Sequence, residues 1–157
     1  MNPLIYSILL SILPIAELRG GIPYAIVHDI HPVMAYLVCC GANILAFPIV
    51  HFFLVTLHPI FMKWSFYSKL FDKFIARTRK KLEKNVEKYG FWALMIFVMI
   101  PLPVTGAYTG SFAAWVFGIS RRKAFLAVTL GVLIAGVIVT AIMVTGAESF
   151  KFLVKGH

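Results

Sequence analysis

Four apolar blocks, residues 3–27, 31–60, 91–118 and 124–147, each exceed the roughly 18–20 residues that cross a bilayer as a helix. Two of them carry segments that no lipid-facing helix tolerates. The first is interrupted at Leu13-Pro14-Ile15-Ala16-Glu17-Leu18-Arg19-Gly20-Gly21-Ile22-Pro23, with two prolines, a glycine pair and two charges. The third is interrupted at Pro101-Leu102-Pro103-Val104-Thr105-Gly106-Ala107-Tyr108-Thr109-Gly110. Each interruption leaves halves of roughly ten residues, which at about 1.5 Å per residue reach the bilayer midplane and no further. The pattern predicts re-entrant hairpins: a helix in, an irregular turn at mid-depth, a helix back out.

The second and fourth blocks read as full spans. Pro48 is placed to kink the second, whereas residues 124–147 contain no charge before the acidic residue that follows. The expected order is a hairpin at 3–27, a transmembrane helix at 31–60, a basic linker at 61–89, a hairpin at 90–118 and a transmembrane helix at 122–147. Together they form one membrane domain over 1–157. Pro14 precedes His31 by 17 residues and Pro101 precedes Arg121 by 20, a loose internal repeat. Because a hairpin returns to its own side and a span crosses, the second unit enters inverted relative to the first. The fold class expected is all-α and integral to the membrane, an inverted repeat of hairpin plus span.

Composition supports a lipid setting. Hydrophobic residues make up 61% and charged residues 13%, too little polarity to cover a soluble fold of this size. Most of the 15 Lys and Arg fall between Lys63 and Lys88 or in Arg121-Arg122-Lys123. The positive-inside rule places both stretches in the cytoplasm, in a multi-pass protein of the plasma (inner) membrane, with the termini outside. Phe66, Leu70, Phe74, Leu82 and Val86 recur at helical spacing among the linker's cations. That spacing fits an amphipathic helix on anionic headgroups, or equally a solvated connector. Nucleic acid is excluded as a partner, since no soluble domain presents the charge. Cys39 and Cys40 are adjacent in an apolar run and read as small packing residues, and no metal-ligand spacing or cofactor motif occurs.

Chemistry concentrates at the two interruptions. A charge at mid-depth costs at least about 2.5–3.5 kcal/mol, so Glu17 and Arg19 must pair with each other, sit shallower, or face a cavity. The functional reading is an anion site. Gly20 and Gly21 would expose backbone amides, a returning half-helix beginning after them would add its positive end, and Arg19 would hold a phosphate through its planar fork. Glu17 would position Arg19 or take up a proton. Thr105, Gly106, Tyr108, Thr109 and Gly110 supply an uncharged counterpart, whose hydroxyls suit helix capping, ligand contact or both. Asn43, His51 and His58 rank lower, as packing residues. Gly131-x-x-x-Ala135 and Gly136-x-x-x-Thr140 suit close helix packing, and two hairpins shielded by two spans point to a homodimer.

Glu17-Leu18-Arg19-Gly20-Gly21-Ile22-Pro23, together with the segment from Pro101 to Gly110, resembles the small multidrug export protein family over nearly the whole chain. The architecture also resembles the DedA/VTT-domain superfamily, in which two re-entrant hairpins face each other and some members translocate polyprenyl-phosphate carrier lipids coupled to the proton-motive force. That similarity puts Glu17 and Arg19 at the first hairpin's acidic and basic positions. The second hairpin departs from it, carrying Thr105 and Tyr108 where an arginine is usual. The resemblances imply a transporter or flippase, not an enzyme, for an anionic, phosphate-bearing lipid substrate. The alternatives are a proton-coupled exporter of lipophilic cations and a non-transport membrane scaffold.

Overall fold

The computed structural model describes residues 2–61, 63, 89–102 and 105–155, and all regular structure among them is helical. The chain opens with α1, Pro3–Ile12, and α2, Glu17–Val27. Next come α3, Pro32–Ile44, and α4, Ala46–Phe61. After the linker come α5, Tyr89–Met99, α6, Ala107–Val116, and α7, Arg121–Lys155. The amphipathic character expected of the linker falls on residues 64–88, outside the described residues.

Local chemistry fixes most of the helix ends. Asn2 Oδ1 accepts the Leu4 amide at 3.0 Å and Pro3 occupies the first helical position, where a missing N–H costs nothing. His31 Nδ1 and Pro32 do the same for α3, the ring accepting from Val33 at 3.3 Å. At the far ends, α2 and α6 stop in the same way. Asp29 (φ 61°) and Gly118 (φ 68°) turn left-handed, and the amide beyond each reaches back five residues, Ile30 to Ala25 at 3.0 Å and Ile119 to Ala114 at 2.9 Å.

Both interruptions are real but shorter than the sequence implied. The first occupies only Leu13 to Ala16, and α2 already starts at Glu17, so Arg19, Gly20, Gly21, Ile22 and Pro23 are helical. Pro23 sits inside α2, where it leaves the Arg19 carbonyl without its helical donor. The second interruption ends at Gly106, which places Tyr108, Thr109 and Gly110 in the first turn of α6. The block expected as one span over 31–60 runs as α3 and α4 with a single turn residue between them, Leu45, which keeps helical dihedrals, so that Pro32–Thr56 continues as one helix long enough to cross a membrane. The Pro48 ring would press on the Ile44 carbonyl four residues back, which accounts for the irregularity at that point. The last helix outruns its expected end, reaching Lys155.

Pro32–Thr56 and Arg121–Gly146 are each long and apolar enough to cross a membrane. α1 and α2 pack together, with α3 covering both; α7 lies against α3, α2 and α6, and α4 lies against α6. The core runs through Ile22, Cys39, Cys40, Val98, Val128 and Val132, all fully buried, and both cysteines are free thiols. Gly131 lies against Val98 and the Met95 carbonyl, where an added Cβ would come within 2.9 Å of that oxygen. Gly136 admits Tyr36 in the same way, at 2.9 Å. The small residues of α7 thus receive α5 at one point and α3 at the other. Large apolar side chains, among them Phe52, Val55, Trp92, Leu126 and Ile142, point outward, as a lipid-facing surface requires.

Candidate functional site

The two interruptions meet, and the charges of the first serve the backbone of the second. Arg19 donates through Nη1 to the Leu102 carbonyl and through Nη2 to the Thr105 carbonyl. Nη2 also lies 3.2 Å from Thr105 Oγ1. The Leu102 carbonyl also accepts the Thr105 amide at 3.2 Å within the break, and one guanidinium adds to that local bond and reaches both carbonyls across more than eighty residues of chain. A cation at the C-terminal end of a helix is also favoured by the helix dipole.

Glu17 does the complementary task at the next helix. Its carboxylate accepts from the Ala107 amide at 3.4 Å and the Tyr108 amide at 3.3 Å, capping α6 from another part of the chain. Gly106, the N-cap residue, makes room for it: a Cβ there would lie 2.7 Å from the carboxyl carbon. Tyr108 returns the favour by donating its hydroxyl to the carbonyl of Ile12, the last residue of α1. Thr105 holds its own segment in shape, donating to the Ile100 carbonyl at 2.5 Å and accepting the Leu102 amide at 3.2 Å.

Glu17 is 5% exposed and has φ 49°, left-handed and rare for a residue with a side chain. Such a conformation costs of order 1–3 kcal/mol and persists only where surrounding contacts enforce it. Here it reverses the chain from the turn after α1 into α2, with the Glu17 amide bonded to the Leu13 carbonyl at 2.9 Å.

Five of the residues singled out from the sequence therefore converge: Glu17, Arg19, Thr105, Gly106 and Tyr108. The others do not reach the junction. The Gly20 amide is bonded to the Ala16 carbonyl at 3.0 Å, so the glycine pair forms no open cradle of amides. Gly21 instead lets α2 close on α1 and α3, where a Cβ would lie 2.7 Å from the Ser7 carbonyl oxygen and 3.2 Å from Cys39 Sγ. Gly110 is a packing point against Val98 and Leu94 of α5, and Thr109 lies on the exposed side of α6. Glu17 and Arg19 are close enough for their charges to act on each other, and each also serves the facing break.

One residue ranked as packing belongs here. Asn43 of α3 is 1% exposed and its side chain lies beside the Glu17 carboxylate. The sign available in the sequence was a lone carboxamide in an otherwise apolar run. His51 stacks on Phe47 and, with Ser111, Trp115 and Arg121, lines a cavity of about 50 Å³ between α4, α6 and α7. Alongside it an open groove of about 400 Å³ runs past Phe47, Pro48, Arg121, Arg122 and Phe125. Among the described residues no three His, Cys, Asp or Glu side chains gather as metal ligands do.

Residues 17–138 match the family model described as "Putative small multi-drug export protein". The chain belongs to this family. The matched region begins at Glu17 and takes in Arg19, Asn43, the second break and the first half of α7, so every residue of the junction lies within it except those of α1 and its turn. The match is to the export family and does not extend to the DedA superfamily. No curated protein and no solved structure matches the chain. Family membership, together with two helices able to cross a bilayer, makes this a membrane protein of an export family.

Proposed function

We propose that the chain is a proton-coupled membrane transporter, gated by the contact between its two breaks, for an amphipathic anion of the polyprenyl-phosphate type. The observation that carries this reading is the position of the Glu17 carboxylate on the first amides of α6. The N-terminus of a helix is where a phosphate binds, because unpaired amides and the helix dipole converge there. Glu17 is then an internal stand-in for the substrate anion. Protonation discharges it, weakens its hold on Ala107 and Tyr108, and yields the helix end to a phosphate. Arg19 holds only neutral carbonyl oxygens, which a phosphate dianion outcompetes through the same fork.

The architecture proposed with it is the inverted repeat of two re-entrant hairpins. α1, α2, α5 and α6 have ten or eleven residues each, about half of what a bilayer requires. An 89-residue offset relates Asp29 to Gly118 at the helix stops, Gly21 to Gly110 at the close contacts, and Glu17 to Gly106 at the junction. Rocking of one unit against the other would open the junction to alternate sides. The basic linker would face the cytoplasm, and a second copy would cover backbone that two spans leave bare to lipid.

A second reading rests on the family's description: export of lipophilic cations in exchange for the proton on Glu17. One experiment separates the two. Protein in liposomes under an imposed pH gradient is offered a fluorescent polyprenyl phosphate and a lipophilic cation, as wild type, Arg19→Ala and Glu17→Gln. The proposal expects phosphate-lipid movement that Arg19→Ala abolishes and that Glu17→Gln uncouples from the gradient. Intact phosphate transport in Arg19→Ala removes the anion site. Cation movement lost only in Glu17→Gln replaces the proposal with the export reading.

A further inference from the structure

Away from the junction, a second concentration of charge lies between α4 and α7. Both helices rest against α6, and the Phe47 and Phe125 rings meet edge to face at 5.4 Å. Alongside that contact runs the open groove of about 400 Å³, walled by Phe47, Pro48 and Phe125 and by two arginines, Arg121 and Arg122. A space of that size admits the headgroup and first methylenes of a lipid. Arg121 borders both this groove and the enclosed cavity beside His51, so it belongs to the wall. Lys123, the next residue along the chain, lines neither. The groove is thus apolar on one part of its wall and doubly cationic on the other.

Nothing in the groove's own lining balances that charge. The acids whose side chains are described are Glu17 and Asp29. The first caps α6 at the junction, and the second lies at the left-handed stop of α2. Two guanidiniums on one groove repel each other, a cost that an anion between them removes. Depth adds a second constraint. A helix that crosses the bilayer over Arg121–Gly146 puts its two arginines among the headgroups. Phe125, one turn further in, then lies about 6 Å deeper, at the edge of the hydrocarbon. A phospholipid presents its phosphate and its acyl chains in that same order.

We propose that the groove holds one anionic phospholipid of the surrounding leaflet. Its phosphate lies between Arg121 and Arg122, and its first acyl methylenes lie against Phe47, Pro48 and Phe125. The planar fork of arginine suits two phosphate oxygens at once, and basic pockets between membrane helices bind anionic headgroups in this way. A zwitterionic lipid brings a cation to the same place, so the groove discriminates by the net charge of the headgroup. None of Glu17, Arg19, Thr105 and Tyr108 lines it, and the inference stands apart from the transport reading. A lipid held there touches α4 on one side and α7 on the other, tying the two candidate spans together at headgroup level.

The measurement is native mass spectrometry of the whole protein in detergent, offered phosphatidylglycerol and phosphatidylcholine of matched chains in equal amounts. The expected result is retention of phosphatidylglycerol in preference to phosphatidylcholine. Arg121→Gln with Arg122→Gln should cut that retention about thirtyfold, and Arg122→Gln alone about fivefold. Lys123→Gln, the same loss of charge outside the groove, should cut it by less than about twofold. The Arg122→Gln comparison decides the matter even if the double variant fails to fold. Equal losses in Arg122→Gln and Lys123→Gln overturn the proposal, because the lipid then answers to diffuse surface charge. Equal retention of the two lipids overturns it as well. So does displacement of phosphatidylglycerol by excess inorganic phosphate, which would make the groove a site for the free anion.

Discussion

The two breaks are opposites in composition and partners in structure. The first, with the opening turn of α2, carries both charges of the junction and a strained backbone at Glu17. The second is uncharged and contributes backbone groups: the Leu102 and Thr105 carbonyls and the Ala107 and Tyr108 amides. Interrupting a helix in an apolar setting orphans donors on one side and acceptors on the other, and lipid offers them nothing. Here one half of the molecule creates the orphans and the other supplies the ions that satisfy them. Charge in an apolar setting, costly in isolation, becomes a structural asset once it is aimed at a facing helix end.

The comparison can be broken most forcefully at Arg19. Arg19→Met keeps the length of the side chain and removes the fork, and with it the guanidinium bonds to the Leu102 and Thr105 carbonyls. Solvent around the half-exposed guanidinium trims the two charge-assisted bonds to about 3 kcal/mol in all. The expected outcome is a large drop in thermal unfolding temperature in detergent, with Arg19→Lys recovering part of it through a single bond. Unchanged stability in Arg19→Met would mean that the second break does not depend on the first.

Gly106→Ala attacks from the other side, placing a methyl group where the Glu17 carboxylate now lies. Overpacking of this kind costs about 2 kcal/mol, and the effect should shrink in the Glu17→Ala background, where the space is free. An additive double mutant would deny the contact. Thr105→Val removes a hydroxyl that ties the second break together at 2.5 and 3.2 Å, with an expected loss of about 1 kcal/mol on the same melt.

The smallest effect should run the other way. Gly41, an exposed position of α3, has open space around its Cβ position. Gly41→Ala should stabilise by about 0.5–1 kcal/mol through a stiffer unfolded chain and a better helix. A loss there would indicate a contact outside the chain, and a dimer measured by crosslinking at position 41 would locate it.

Much of this was legible in the residues. Pro14 and the run from Pro101 to Gly106 placed both interruptions, because proline and glycine act locally on backbone geometry. The small residues of α7 marked its close contacts, and Cys39 and Cys40 read as packing groups. The boundaries were less so. Gly20, Gly21 and Pro23 looked like parts of a turn, but the first turns of α2 absorb them: the space between α1 and α3 admits a glycine and nothing larger at position 21. The irregularity at Leu45 lies three residues before Pro48, the proline that causes it.

Proline and glycine locate both interruptions, hydropathy marks the stretches able to cross a bilayer, and two charges stand out inside an apolar block. What those charges hold depends on how the helices pack. Backbone carbonyls and amides are the same at every residue, so nothing in the letters distinguishes the Leu102 oxygen or the Tyr108 amide from any other. Which of them lose their helical partners, and which ion comes within reach from some ninety residues away, is settled when α2 packs beside α3 and α7 and brings the first break against the second.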